Sequence, residues 1–251
     1  MAAAGDNSIP VKLKHDAIVE ALLEIRFSMT TIPEILFGRL AEIASWKSFA
    51  QTPMPAYNLP AALRQADPNL RYQPVFALVD AGGRRAVRIG PHVLSYHRTV
   101  PYVGWVKFKT ELDEAIAGIF EKAEGLSVER LGLRYLNALR SDIHGVRSIS
   151  DLDLKFEVAG ERVPGNANMN FTTDVADHTA CTVRIATPEF IMGSLPANTS
   201  VYVDVDVFTK EGFGTKEQLI VKDWVEAAHT KEKQQFFRLL TKATIESLKE
   251  K

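Results

Sequence analysis

The chain has 251 residues, of which 46% are hydrophobic, with 30 basic and 31 acidic side chains and a formal net charge of −1. That length can bury a large core without cross-links, and the near-average hydrophobic content argues against disorder. Balanced charge gives no broad electrostatic field, which argues against non-specific nucleic-acid binding. The one cysteine, Cys181, excludes a disulfide framework or a multi-cysteine zinc site and fits a reducing, cytoplasmic compartment. Apolar runs are only a few residues long, so no membrane span is expected. Residues 1–9 read as a frayed tail and 10–251 as a single domain.

Residues 17–28 (AIVEALLEIRFS) alternate with period two. Val19, Ala21, Leu23, Ile25 and Phe27 form an apolar side, while Glu20, Glu24, Arg26 and Ser28, with Leu22 among them, form a polar one. This predicts a strand with one face under a core. Thr31 as a cap and Pro33 in the first turn open a helix, and its stripe of Ile35, Leu36, Leu40, Ile43 and Ala44 runs through Trp46. Five prolines in 48–74 exclude a long regular element there and leave one turn of helix near 61–65. Residues 74–80 and 85–98 are strand-like, joined at Ala81-Gly82-Gly83-Arg84, with Gly90-Pro91 a break or bulge in the second. Phe108, Leu112, Ala115, Ile116, Ile119 and Phe120 predict a helix over 103–123, stopped by Gly125.

Residues 128–141 (VERLGLRYLNALRS) predict a further strand, 148–156 one or two helical turns, and 160–168 a loop. Strands follow at 168–175, 179–187 and 200–209. In the last, Val201, Val203, Val205 and Val207 alternate with Tyr202, Asp204, Asp206 and Phe208. Residues 216–249 predict a closing helix, bent near His229 and Thr230 and interrupted near Thr241. The order of elements repeats, which suggests two strand-helix-strands-helix halves, 10–125 and 126–251, whose sheets join. The fold class is therefore α+β: an antiparallel sheet with helices packed on one face.

Three stretches carry a family likeness. They are Ile18 to Phe27 (IVEALLEIRF), Arg130 to Asn137 (RLGLRYLN), and the closing DWVEAAH of Asp223 to His229 with Phe236, Phe237, Leu240 and Thr241. In this order they resemble a sporadically distributed bacterial protein family of about this length with no assigned function. The resemblance covers nearly the whole chain and implies no catalytic residues. The family's patchy distribution implies carriage on mobile elements such as defence or toxin–antitoxin loci.

The candidate site lies on the polar sides of the strands. Parity groups Glu24 with Arg26, Arg130 with Arg134, and Asp204 with Asp206, while Arg88 and Arg184 sit between apolar neighbours. In one sheet these eight residues would gather on the face away from the helices. One reading is an ordinary water-facing sheet side with weak cross-strand ion pairs. The other is a groove for an anionic ligand, since arginine forks suit phosphate or carboxylate. Triphosphate-tunnel hydrolases resemble this arrangement, but Leu22-x-Glu24-x-Arg26 lacks the first metal-binding Glu of their pattern. Asp204 and Asp206 would suit Mg²⁺ in that case, and no cofactor is expected otherwise. His229, with Glu226 and Lys233 as helix neighbours, reads as structural, and Cys181 as a buried inert thiol. Gly212-Phe213-Gly214 lacks the spacing of a phosphate loop.

Together these features lead to the expectation of a non-catalytic binding protein. It would recognise a protein partner or an anionic small molecule through the open sheet face or the Pro-rich 48–74 segment. The alternative is a metal-dependent, phosphate-handling enzyme.

Overall fold

The computed structural model describes residues 13–155, 157–158, 160–162 and 165–248. The expected tail at 1–9 and Phe156 of the expected helical turn lie outside these residues. Among the described residues no helix is long and apolar enough to cross a membrane.

Nine antiparallel strands form one sheet. At its centre β1 (Ile18–Ser28) pairs with β6 (Ser127–Arg140). On the β1 side follow β5 (Val93–Thr99), β4 (Arg85–Gly90), β3 (Phe76–Val79) and the edge strand β2 (Ala50–Pro53). On the β6 side follow β11 (Thr199–Thr209), β10 (Thr179–Ala186) and β9 (Asn168–Ala176). A separate two-stranded ribbon joins β7 (Glu157–Val158) to β8 (Glu161–Arg162).

The alternation in sequence is the alternation in space. Ala21, Leu23, Ile25 and Phe27 of β1 are wholly buried, as are Leu131 and Leu133 of β6 and Val201, Val203, Val205 and Val207 of β11. Three helices cover this side: α1 (Pro33–Ala41), α4 (Trp105–Lys122) and α5 (Gln218–Arg238). The α4 helix packs on β5, α5 packs on β6 and β11, and α1 packs on α4. One contiguous apolar cluster runs from Leu13 to Leu248.

In the strand order β5 lies beside β1 and β11 lies beside β6. The central pairing is symmetric about Glu24 opposite Gly132, with Arg26 opposite Arg130 on one side and Leu22 opposite Arg134 on the other.

Several boundaries differ from the sequence expectation, each for a physical reason. The first helix starts from Ile32, without a side-chain cap, because the Thr31 hydroxyl instead accepts the Glu124 N–H at 2.7 Å. It ends at Ala41, and turns rather than helix carry Trp46 into the core. The Pro-rich stretch holds β2 and two short helices, α2 (Ala61–Ala66) and α3 (Pro68–Arg71). Gly90-Pro91 is not a bulge but the start of the β4–β5 hairpin, whose two-residue turn is Pro91-His92. The last helix runs unbroken through His229 and breaks only at 239–241, before α6 (Lys242–Leu248), where Leu240 bridges to Leu152.

Gly125 ends the α4 region with φ +65°, and an added Cβ would lie 2.7 Å from Thr30 Oγ1. Gly125→Ala therefore combines a left-handed backbone with a clash. It should lower stability by about 1–3 kcal/mol in urea denaturation.

Candidate functional site

Register places all eight predicted residues on the sheet face opposite the helices. Arg88 faces Ser95, which faces Glu24; Arg26 faces Arg130; Arg134 faces Asp206; and Asp204 faces Arg184. This face is not an ordinary solvated surface. Asp204 is buried, and Arg134 grips both its oxygens, Nε to Oδ1 at 2.8 Å and Nη2 to Oδ2 at 2.5 Å. Arg26 and Arg130 both donate to Glu24 Oε1, at 2.7 and 2.9 Å. Arg130 also lies 3.9 Å from Asp206 and 4.9 Å above the Phe208 ring. Tyr72, just after α3, stacks under Arg26 at 4.6 Å, so the Pro-rich segment caps one flank of this network.

A second polar knot lies beside it. Glu20 Oε1 is 2.7 Å from His97 Nδ1, and Ser95 Oγ is 2.8 Å from His97 Nε2. A carboxylate only accepts, so His97 Nδ1 carries the proton and Nε2 accepts from Ser95. Burial opposes the Glu20 charge, but His97, Arg88 and Arg134 outweigh it and hold the carboxyl below its usual range. Burial lowers the His97 pKa below its usual value, with the Glu20 hydrogen bond pulling the other way. Burial also raises Asp206 to about 6, against Arg130 and Arg134.

The arrangement limits what this face can do. Of the five arginines, three are committed to carboxylates. Arg184 turns to Asn168 Oδ1 and the Phe190 carbonyl, and Arg88 makes no ion pair among the described residues. Arg88 and Arg184 are separated by four strands, so they do not form one anion clamp. Asp204, saturated by Arg134, is not poised with Asp206 to chelate a cation. Among the described residues no group of three or more His, Cys, Asp or Glu is placed to hold a metal. Cys181 is buried, and burial pushes its thiol up to about 12.

Across the sheet, under the helices, lies a cavity of about 1040 Å³ that the sequence reading did not single out. Its walls come from the chain entering β1 (Asp16, Ala17, Ile18), from the chain entering α4 (Tyr102 to Trp105), from β6 (Tyr135, Asn137) and from α5 (His229, Glu232, Lys233, Phe236). Trp105 stacks on His229 at 3.7 Å between ring centres and 12° between planes. Tyr102 and Tyr135 share a hydrogen bond at 3.2 Å, and Tyr135 Oη lies 3.5 Å from His229 Nδ1. Glu232 is only 5% exposed, and its carboxyl makes no hydrogen bond or ion pair among the described residues.

Burial decides the ionisation of both α5 groups. It drives His229 down to about 4, with Lys233 adding to the effect. It raises Glu232 to about 8, with Lys233 opposing. Near neutral pH both are uncharged, and perturbed groups of this kind converging in a cleft mark a candidate site. The sequence did hold a signal for Glu232. Val225, Ala228 and Phe236 mark the buried stripe of α5, and position 232 falls on it at helical spacing.

No protein-family model matches the chain, and no curated protein matches it significantly. The functional reading therefore rests on geometry.

Two outcomes are expected. Arg134→Met strands a buried Asp204 and should cost about 3 kcal/mol, and adding Asp204→Leu should restore most of it, as read by a double-mutant cycle in denaturant. For Glu232, the folded pKa lies above the usual carboxylate value, so the native state binds the extra proton and stability falls as pH rises through about 8. His229 acts in the opposite sense and only below its usual range, where acid favours unfolding. The melting-temperature gap of Glu232→Gln over wild type should therefore widen from pH 5 to pH 8.

Proposed function

We propose that this protein is a non-catalytic binding protein whose ligand is a small organic molecule held between α4, α5 and the centre of the sheet. The observation that carries this reading is the cavity itself. Its volume is at the upper end for small-molecule sites, its walls are mainly aromatic and aliphatic, and a few polar groups converge on it. The hydrogen-bonded Tyr102–Tyr135–His229 string and the buried Glu232 supply orientation, while Trp105 and Phe236 supply contact area.

An anionic ligand on the opposite sheet face has less support. It would compete with carboxylates already bonded to Arg26, Arg130 and Arg134. A metal-dependent reaction has less support for the same reason, because Asp204 is bound on both oxygens.

Val103 lines the cavity and is part-exposed, so a larger side chain there can fill space without entering the core. In the wild type, an environment-sensitive apolar dye should bind saturably and raise the melting temperature. Val103→Trp should weaken that binding by about tenfold or more while the apo melting temperature changes little. Equal dye binding by both proteins would remove the cavity as the ligand site.

A further inference from the structure

We infer that the ligand is an organic ammonium ion, a protonated amine on an apolar body, with Glu232 as its counter-ion; this rests on the cavity being the binding site. Glu232 is the most deeply buried acid in the cavity wall and has no partner for its carboxyl among the described residues. An ionised carboxylate in that position is costly, so the empty site keeps its proton. A bound ammonium supplies the missing opposite charge at hydrogen-bonding distance, where such a pair is strong.

The rest of the wall favours the same charge. Tyr102, Tyr135, Phe236 and Phe237 present aromatic rings, which attract cations and disfavour anions. His229 is held neutral, so it neither repels a cation nor attracts an anion. Glu111, on α4, bonds Arg98 at 3.4 Å through Oε1, and its Oε2 is buried with no hydrogen-bond partner. Asp16 is a third acid in the wall, against two lysines. Lys107 is exposed, and Lys233, next to Glu232 in the chain, opposes the effect of burial on that carboxyl without overcoming it. A bound ammonium answers the burial cost of an ionised Glu232 carboxylate, which neither an anionic nor a neutral ligand does.

Proton balance follows. At neutral pH the carboxylic acid of Glu232 gives up its proton to solvent, and the incoming ammonium keeps all of its own. Binding thus releases about one proton and strengthens as pH rises toward 8.

The test uses the full chain and three matched probes: 4-phenylbutylamine, 4-phenylbutanol and 4-phenylbutanoate. Isothermal titration at pH 7.5 should show the amine binding at least about tenfold more tightly than the alcohol, with the carboxylate weakest. The amine's heat should vary with the buffer's ionisation enthalpy as about one released proton requires, and its affinity should drop as pH falls from 8 to 6. Glu232→Gln should abolish both the amine's advantage and the proton release. Equal affinities for amine and alcohol, or tightest binding of the carboxylate, would overturn the ammonium assignment while leaving the cavity reading intact. Binding of none of the three at millimolar concentration would overturn both.

Discussion

The pairing of β1 with β6 at the middle of the sheet fixes which side chains face which way, and the rest of the molecule follows from it. From Ala21 to Ile25 of β1 and from Leu131 to Tyr135 of β6, odd-numbered positions go under the helices and even-numbered positions go to the opposite face, with register shifts beyond each end. A one-residue slip would put Glu24 and Arg134 into the core and Leu23 and Leu133 outside, so the register is strongly specified. Gly132 contributes by leaving room at the symmetric centre. A Cβ there would lie 3.1 Å from Arg130 Nη1, in the space through which that arginine reaches Glu24.

The two faces then differ in how their polar groups are satisfied. On the ionic face, acids and their nitrogen partners settle one another: Glu24 with Arg26 and Arg130, Asp204 with Arg134, and Glu20 with His97. Such a network contributes conformational specificity, but it leaves little to offer a ligand. On the helix face the balance is incomplete. His229 and Glu232, one turn apart on α5, are both neutral because burial penalises whichever charge each would carry. The proposed ligand site is thus the one where the Glu232 carboxyl makes no hydrogen bond or ion pair among the described residues.

Much of this was legible in the chain. The period-two alternation of β1, β6 and β11 and the helical stripe of α4 identified the sheet, its covered face and the ionic residues opposite. Three features were not legible, for different reasons. Ala50–Pro53 pairs only on one side, as the edge of the sheet, where proline is tolerated, so Pro53 and the prolines after it hid a strand. Pro91 and His92 resemble an interruption within one strand because both flanking segments alternate in the same way, and only pairing distinguishes a hairpin from a bulge. Glu232 falls on the buried stripe of α5, but it sits in the run KEKQQ, which looks like a solvated helix face. It shares a cavity wall with Tyr102 and Tyr135, which come from distant parts of the chain. The stripe gives its burial, and only tertiary packing gives its neighbours.

The bond from Arg130 to Glu24 spans 106 residues of chain, and the whole seam it belongs to is similarly long-range. During synthesis, β1 can pair with β5 on one side long before its other neighbour has left the ribosome. Until β6 arrives, the nascent first half carries an unzipped backbone edge beside a half-covered greasy layer. That topology favours slow, late closure and leaves an edge open to wrong pairing until β6 arrives.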